Sequence, residues 1–395
     1  MAKGMNSTDL KRLNRQTVFK MISRNKGISR MELSERTGLT KMTISNIMTE
    51  FLESELVCES AKEEHIQVGA GRKPLALCFS PNSPVTAGLL ITRGKLRAII
   101  ADFHLSVLDY HEFVLQKNET AESIAVKSVM LLEALFRRTD RKVVGIGVSS
   151  IGGVDLKNGI VLSPPNFYGD LNLPIVKILS ERFHCPVVLQ NDMNASALAE
   201  LYFGRGESVD NFCYVGIGFG VGAGMVVERR LFEGTSGFSG EIGHMVINYN
   251  GKMCHCGQRG CLEAYVGLFA IRQMFREKLG FDVDDLYQYL EGLQDFCNSN
   301  PEGMKLLDEV LEPLSVGLVN LCNTVDPRII ILGGGVGDFL PDSLMAKLNQ
   351  MINEKMMGSG FRKINIVKSA FGREAPLMGA AVLILEEMYT GKISW

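Results

Sequence analysis

The residues best suited to chemistry lie close together in the middle of the chain: His244, Cys254, His255, Cys256 and Cys261. Between His244, Cys254, Cys256 and Cys261 the gaps are nine residues, then one, then four. One imidazole and three thiolates close a tetrahedral shell around Zn²⁺, and a shell filled by protein holds structure instead of activating water. Gly251, Gly257 and Gly260 supply the tight turns that a knuckle around an ion needs. Nine cysteines in 395 residues do not make a disulfide scaffold, and three of them crowded together read as metal ligands in a reducing compartment. Buried cysteines beside a structural histidine are the plainer reading, and the crowding argues against it.

Composition bounds the surroundings of this cluster. The chain is 46% hydrophobic and 22% charged, as in a globular protein with a sizeable core. Its length leads us to expect two or three domains. The net charge of −2 excludes a polybasic coat protein, but the charge is uneven. Residues 1–80 hold thirteen Lys/Arg against nine Asp/Glu, a net of +4, leaving −6 for the remainder. A small basic region ahead of a larger acidic one directs attention to nucleic acid. The polar N-terminus has no apolar h-region, and no apolar run is long enough to span a membrane, so a cytoplasmic protein with no membrane partner is expected.

The first eighty residues carry a recognisable pattern. Leu10, Leu13, Thr17, Val18, Met21 and Ile22 recur at helical spacing after Ser7 and Thr8, which are expected to cap that helix. Ser29 and Glu32 form a capping box for a second helix ending at Thr37, and Gly38-Leu39-Thr40 makes a short turn. A third helix puts Ile44, Ile47, Met48, Phe51 and Leu52 on one face and Lys41, Thr43, Ser45, Asn46 and Thr49 on the other. Two helices joined by a glycine-containing turn read as a helix-turn-helix. Lys41, Thr43, Ser45 and Asn46 then stand where side chains reach base edges and phosphates. Short strands beginning at Leu56 and at Leu75 flank a glycine-rich stretch with Arg72 and Lys73 at its tip, which reads as a wing suited to a narrow minor groove. A three-helix protein-interaction domain with a solvated basic loop is the competing reading. Ser80-Pro81-Asn82-Ser83-Pro84 reads as a linker, giving a winged helix-turn-helix over 1–80 and a second region over 81–395.

From Val85 onward strands and helices alternate, so the class is α/β. Residues 85–103 and 211–232 both read as strand, glycine turn, strand, which predicts two similar lobes with a cleft between them. Ile329-Ile330-Ile331-Leu332 is a buried strand running into Gly333-Gly334-Gly335. Such glycines suit phosphate contact or simple packing, and each run alone is a weak signal.

In combination these residues resemble a family signature. Gly240-Glu241-Ile242-Gly243-His244, the Cys254, Cys256 and Cys261 spacing, Glu263, Gln190-Asn191-Asp192-Met193-Asn194-Ala195 and residues 218–224 resemble the ROK family (repressor, open reading frame, kinase). The resemblance covers nearly the whole chain, and residues 69–74 and 237–241 look most similar to xylose-repressor-like members of its repressor branch. It implies a two-lobed, actin-like ATPase (ribonuclease H-like) sugar-kinase fold after the winged helix-turn-helix, with a zinc knuckle near 244–261. It implies as ligand a hexose, pentose or amino sugar, or in some repressors a phosphosugar or a protein partner. Asn191 and Asp192 match a pair whose side chains bond sugar hydroxyls, and Glu241 and Glu263 match two sugar-binding glutamates. His244 matches a histidine that ligates zinc through one ring nitrogen and faces the sugar with the other. Asn166, after Pro164-Pro165, resembles a loop residue lying over the sugar. Asp192 has a plainer role open to it as a helix N-cap.

A kinase of this family carries an Asp-x-Gly-x-Thr-type turn for Mg²⁺-ATP. Here Leu90 stands where the aspartate belongs, Thr92 and Arg93 stand near the paired glycines, and Phe219 replaces a phosphate-loop threonine. Without a phosphoryl donor, Asp192 as a base does no chemistry. The expectation is therefore a non-enzymatic, sugar-responsive repressor that binds operator DNA as a homodimer or tetramer. The alternatives are an active sugar kinase with an appended DNA-binding domain, and a repressor whose effector is a transport protein.

Overall fold

The structure is a computed structural model and describes residues 6–61, 75–116, 118–162 and 172–395. The chain opens with α1 (Ser7–Arg24), α2 (Arg30–Thr37) and α3 (Lys41–Glu53), then an antiparallel pair, β1 (Val57–Ala61) and β2 (Leu75–Phe79). α1 is capped by Asn6, not by Ser7 or Thr8. The Asn6 side chain accepts from the Asp9 N–H at 2.8 Å, and the Asp9 carboxylate accepts from the Asn6 N–H at 3.4 Å. Reciprocity decides this: three residues beyond Ser7 and Thr8 stand Leu10 and Lys11, neither of which can accept in return. α2 starts as its capping box predicts, with Glu32 N–H to Ser29 Oγ at 3.2 Å and Ser29 N–H to Glu32 Oε2 at 2.8 Å. Gly38 ends α2 in the left-handed region at φ 70°, where a residue without Cβ is least strained, and Thr40 caps α3. Ile44, Ile47, Met48 and Phe51 are buried as expected, and Leu52 is half-buried. The two strands that flank the expected wing are present; the wing itself, with Arg72 and Lys73, lies outside the described residues.

The first lobe contains β3 (Val85–Thr92), β4 (Lys95–Ala101), β5 (Val107–Val114), α4 (Ala121–Phe136), β6 (Val143–Ser150), the short strands β7 (Val154–Asp155) and β8 (Ile160–Val161), α5 (Ile175–Phe183) and β9 (Val187–Asn191). Then α6 (Asp192–Phe203) leads into β10 (Phe212–Ile217), β11 (Val221–Val227) and β12 (Arg230–Leu231). The second lobe continues with α7 (Glu263–Val266), α8 (Leu268–Leu279), α9 (Leu286–Ser299), α10 (Pro301–Glu309), α11 (Leu311–Val325), β13 (Ile329–Gly333), α12 (Gly334–Phe339), α13 (Asp342–Lys355) and β14 (Asn365–Lys368). The closing helix α14 (Ala375–Tyr389) packs on α6, β3 and β6.

The two main sheets run β5-β4-β3-β6-β9 and β12-β11-β10-β13-β14. Both follow one plan. A hairpin pairs antiparallel (β3 with β4, β10 with β11), and two further strands add parallel on the other side. This repetition gives the two similar lobes that the duplicated hairpins predict, in the actin-like arrangement that the family resemblance implies. The glycines of the second hairpin largely serve packing. A Cβ on Gly224 would fall 2.3 Å from Met193 O, and one on Gly379 would fall 2.1 Å from Ala195 O. α6 is therefore seated directly on β11 and against α14, which fixes the residue at its N-terminus.

The segment 80–84, read from its composition as a linker, is anchored at Ser83. Ser83 is fully buried, and Arg141 donates to its carbonyl at 2.6 Å and to its hydroxyl at 2.9 Å. The cause is a core shared by the N-terminal helices and the first lobe. Val18, Phe19 and Ile22 of α1 pack into one cluster with Phe103 and α14. Phe19 stacks on Trp395 at 4.8 Å, Phe51 meets the same ring edge-on at 5.4 Å, and the Arg15 guanidinium lies 5.2 Å from its centre. Ser23 shares a hydrogen bond with the Tyr389 hydroxyl at 2.7 Å, and Arg24 donates to Tyr202 O at the end of α6 at 3.0 Å. Aromatic pairs add about 0.5–1.5 kcal/mol each beyond area burial, enough to hold the N-terminal helices against the lobe.

Candidate functional site

A cleft of about 950 Å³ separates the lobes, and Asn191, Asp192, Glu241, His244 and Glu263 all line it. Asn191 ends β9 and caps α6. Its Oδ1 accepts from Met193 N–H at 2.8 Å and more loosely from Asn194 N–H at 3.4 Å, while its Nδ2 donates to Gly152 O at 3.0 Å. The capping role open to Asp192 thus belongs to Asn191. Asp192 is the first helical residue and is buried. Burial pushes its pKa up to about 7, with the nearby Glu241 charge acting the same way.

Glu241 and His244 flank and end a single 3₁₀ turn at Ile242–His244. Burial raises the Glu241 pKa, the His244 ring opposes this, and Glu263 adds to it. Glu263 opens α7. Its Oε2 accepts from the Val221 N–H at 2.8 Å, and its Oε1 lies 2.9 Å from His255 Nε2. Three carboxyls therefore converge on one pocket, each able to accept from a hydroxyl, which is the arrangement a polyol needs. Asn166 lies outside the described residues.

Behind these groups the donor atoms of His244, Cys254, Cys256 and Cys261 all lie within 4.8 Å of one another. Cys254 Sγ is 3.8 Å from His244 Nδ1, and Cys256 Sγ is 3.7 Å from Cys261 Sγ. Zinc–sulfur bonds of about 2.3 Å in a tetrahedron give edges of roughly this length, so the donor set suits a divalent cation. Burial pushes the Cys254 thiol up and the Cys261 thiol to about 12. A cation must displace those protons, as zinc does. Isolated bridges between Val246 and Cys261 and between Met253 and Arg259 draw the loop closed. Cys254, His255 and Glu263 form a second donor group sharing Cys254.

At the far end of the cleft, where the resemblance would place ATP phosphates, aromatic rings and ion pairs are found. Leu90 is buried. The Phe219 ring meets Tyr287 of α9 edge-on at 5.5 Å. The Tyr287 hydroxyl reaches across to the first lobe, donating to Arg93 O at 3.0 Å and lying 2.9 Å from Thr92 Oγ1. The Lys95 ammonium sits 4.8 Å from the Tyr287 ring centre and pairs with Glu112 at 3.0 Å. Arg93 covers Phe269 at 5.2 Å, and Arg97 donates to both oxygens of Glu374 at 2.8 and 2.9 Å. Sequence reasoning found Leu90 and Phe219 but missed Tyr287, Phe269 and Arg97, which belong to no local motif.

On α3, Lys41, Ser45 and Asn46 are exposed and Thr43 is half-buried, its N–H donating to Thr40 Oγ1 at 3.1 Å. The structure adds Met42, 76% exposed at the start of this helix, which the pattern of polar residues did not single out. Among the described residues no helix is long and apolar enough to cross a membrane.

Comparison with known proteins follows the same lines. A xylose repressor of Caldicellulosiruptor bescii is 29% identical over 396 residues, spanning 97% of this chain and 98% of that protein. A glucokinase of Thermotoga maritima is 32% identical over 253 residues, 62% of this chain and 80% of its own. The crystal structure of a ROK family transcriptional regulator, a homolog of the E. coli MLC protein, superposes with a TM-score of 0.78 at 27% identity over 97% of both chains. The ROK family profile matches residues 86–387, and with the repeated lobes, the cleft carboxyls and the knuckle in place, this chain belongs to the ROK family.

Proposed function

We propose that the protein is a transcriptional repressor whose grip on operator DNA is released by a sugar bound in the interlobe cleft. The observation that carries this reading is the combination of an N-terminal helix-turn-helix, fixed to the first lobe, with a similarity to xylose repressors that runs through the whole chain. On this reading Asn191, Asp192, Glu241, His244 and Glu263, with Asn166, contact the sugar, and xylose is the first sugar to try. Zinc on His244, Cys254, Cys256 and Cys261 is structural. Lys41, Thr43, Ser45 and Asn46, with Arg72 and Lys73 on the wing, contact DNA. One reading head per chain supplies few contacts, so a homodimer on a two-fold operator is the assembly proposed.

The kinase reading is disfavoured by the phosphate end of the cleft. A transferring phosphoryl group needs backbone N–H groups and uncommitted cations. There Lys95 and Arg97 are paired with carboxylates and Phe219 projects beside Tyr287. The test joins two measurements. DNA selected from a random pool should be released by D-xylose or another sugar of a small panel, and the same sugars should cause no ATP consumption above background. Sugar-dependent ATP turnover at an enzyme-like rate, about 1 s⁻¹ or faster, would return the kinase reading.

The DNA-facing side chains make a separate expectation. Lys41→Ala should weaken operator binding and lower the slope of log affinity against log salt by about one for each phosphate charge that is no longer neutralised. Asn46→Ala should leave that slope alone and change sequence preference instead. Equal salt slopes for wild type and Lys41→Ala would remove Lys41 from the phosphate-contacting set.

A further inference from the structure

His255 belongs to no part of the four-donor set, yet the structure gives it a definite place. It stands between Cys254 and Cys256, so once the knuckle closes, its backbone is held from both sides. Its side chain is 42% exposed, lines the cleft, and puts Nε2 2.9 Å from Oε1 of Glu263, whose own side chain is 9% exposed. The other Glu263 oxygen accepts from the Val221 N–H at 2.8 Å. Groups from two different elements therefore flank one carboxylate: the Val221 N–H at the start of β11 donates to one oxygen, and the His255 ring of the knuckle lies against the other.

A carboxylate offers about four acceptor sites. With an N–H on one oxygen and an imidazole nitrogen 2.9 Å from the other, the carboxylate is held in one orientation, and its remaining sites still only accept. A ligand meeting Glu263 must therefore bring donors, as adjacent free hydroxyls do, and bring them in register. Held by Val221 alone, the carboxylate would turn about its last bond and lose that register, at an entropic cost to each bond formed. The anchoring differs from the His244 route, because His255 reaches the site from the knuckle without being one of the four donors.

We infer that His255 is a positioning residue of the sugar site: it fixes Glu263 from the metal knuckle and so selects ligands presenting adjacent hydroxyl donors. The inference rests on the carbohydrate reading given above, and its test separates the two. Wild type is compared with His255→Ala, His255→Gln, Glu263→Ala and the His255→Ala/Glu263→Ala double variant. For each, zinc per chain, operator affinity without sugar, and the concentrations of D-xylose, D-glucose and N-acetylglucosamine that half-release the operator are measured. His255→Ala should keep its zinc and its operator affinity and should need about tenfold more sugar, the loss expected for one hydrogen bond to a charged group. His255→Gln, which retains a donor, should recover part of that loss. The double variant should be no worse than Glu263→Ala, because His255 acts through Glu263. Unchanged release by His255→Ala overturns the inference and leaves the sugar reading standing. Loss of zinc from His255→Ala also overturns it, making His255 a ligand through the second donor group. A wild type deaf to all three sugars overturns the sugar reading and the inference with it.

Discussion

Cys256→Ser is expected to destabilise the second lobe by ~3–5 kcal/mol and to abolish release by sugar, while changing operator affinity little. The expectation follows from what holds the segment between Glu241 and Glu263. Its only described regular structure is one 3₁₀ turn, and two isolated bridges draw it together. Tyr249 and Met253 within it are 85% and 58% exposed, so it has few apolar contacts of its own. Beyond the turn its buried side chains are Cys254, Cys261 and Leu262, so two of the three are thiols, and a buried thiol set without a cation is a poor core. Binding free energy at such a site is folding free energy. Because Glu241, His244 and Glu263 flank the same segment, loosening it disperses the cleft carboxyls. The N-terminal helices are packed elsewhere, on α14 and Trp395, and should stay in place. Denaturant unfolding, hydrogen exchange over residues 240–267 and operator titration of the zinc-loaded and chelated protein check this together. Unchanged exchange and unchanged sugar response after complete zinc removal would deny the metal any structural part.

Much of this site was legible in the sequence because its signals are local. The donor spacing needs only a loop able to turn, and glycines supply it. The capping box at Ser29 and Glu32 sets the start of α2 through atoms three residues apart. The same logic, applied one residue before Ser7, finds Asn6 and Asp9. The capping of α6 by Asn191 was hidden for a different reason. Asn and Asp are equally good caps, and only the register of β9 against β6, in which Ser150 faces Asn191, decides which residue ends the strand. What stayed illegible is what depends on distant chain. Tyr287 reaches Thr92 across 195 residues, and Ser23 meets Tyr389 across 366. No pattern in either segment announces its partner. The anchoring of 80–84 was hidden similarly: Pro81 and Asn82 are exposed, as linker residues are, but Ser83 is buried because the distant Arg141 satisfies its polar groups.

Asp192→Asn should yield a repressor that holds its operator, ignores sugar and is more stable than wild type at neutral pH. The gain in stability follows from the sign of the linkage. The Asp192 pKa is raised from 3.8 to about 7 in the folded protein. Between those values the native state binds the proton that the unfolded state has released, so stability falls as pH rises through that window and levels off above about 7. Asparagine cannot titrate and resembles the protonated acid in shape. The variant should therefore match wild type near pH 4 and exceed it increasingly toward pH 8. The ceiling is about 1.4 kcal/mol for each pKa unit, or roughly 4 kcal/mol in all. Unfolding midpoints at pH 5, 6, 7 and 8 measure the divergence, and parallel curves for the two proteins would refute it. A carboxyl that costs stability when ionised is explained by a partner that arrives later. Sugar hydroxyls donating to Asp192 would favour its charged form, so sugar binding near pH 6 should release protons to buffer. Asparagine offers one acceptor and an unwanted donor in the same place. The coupling between sugar and operator, ordinarily about 5–150-fold, should then vanish without loss of DNA binding. Sugar-driven release of Asp192→Asn at wild-type concentrations, or sugar binding to wild type with no proton release at pH 6, would take Asp192 out of the switch.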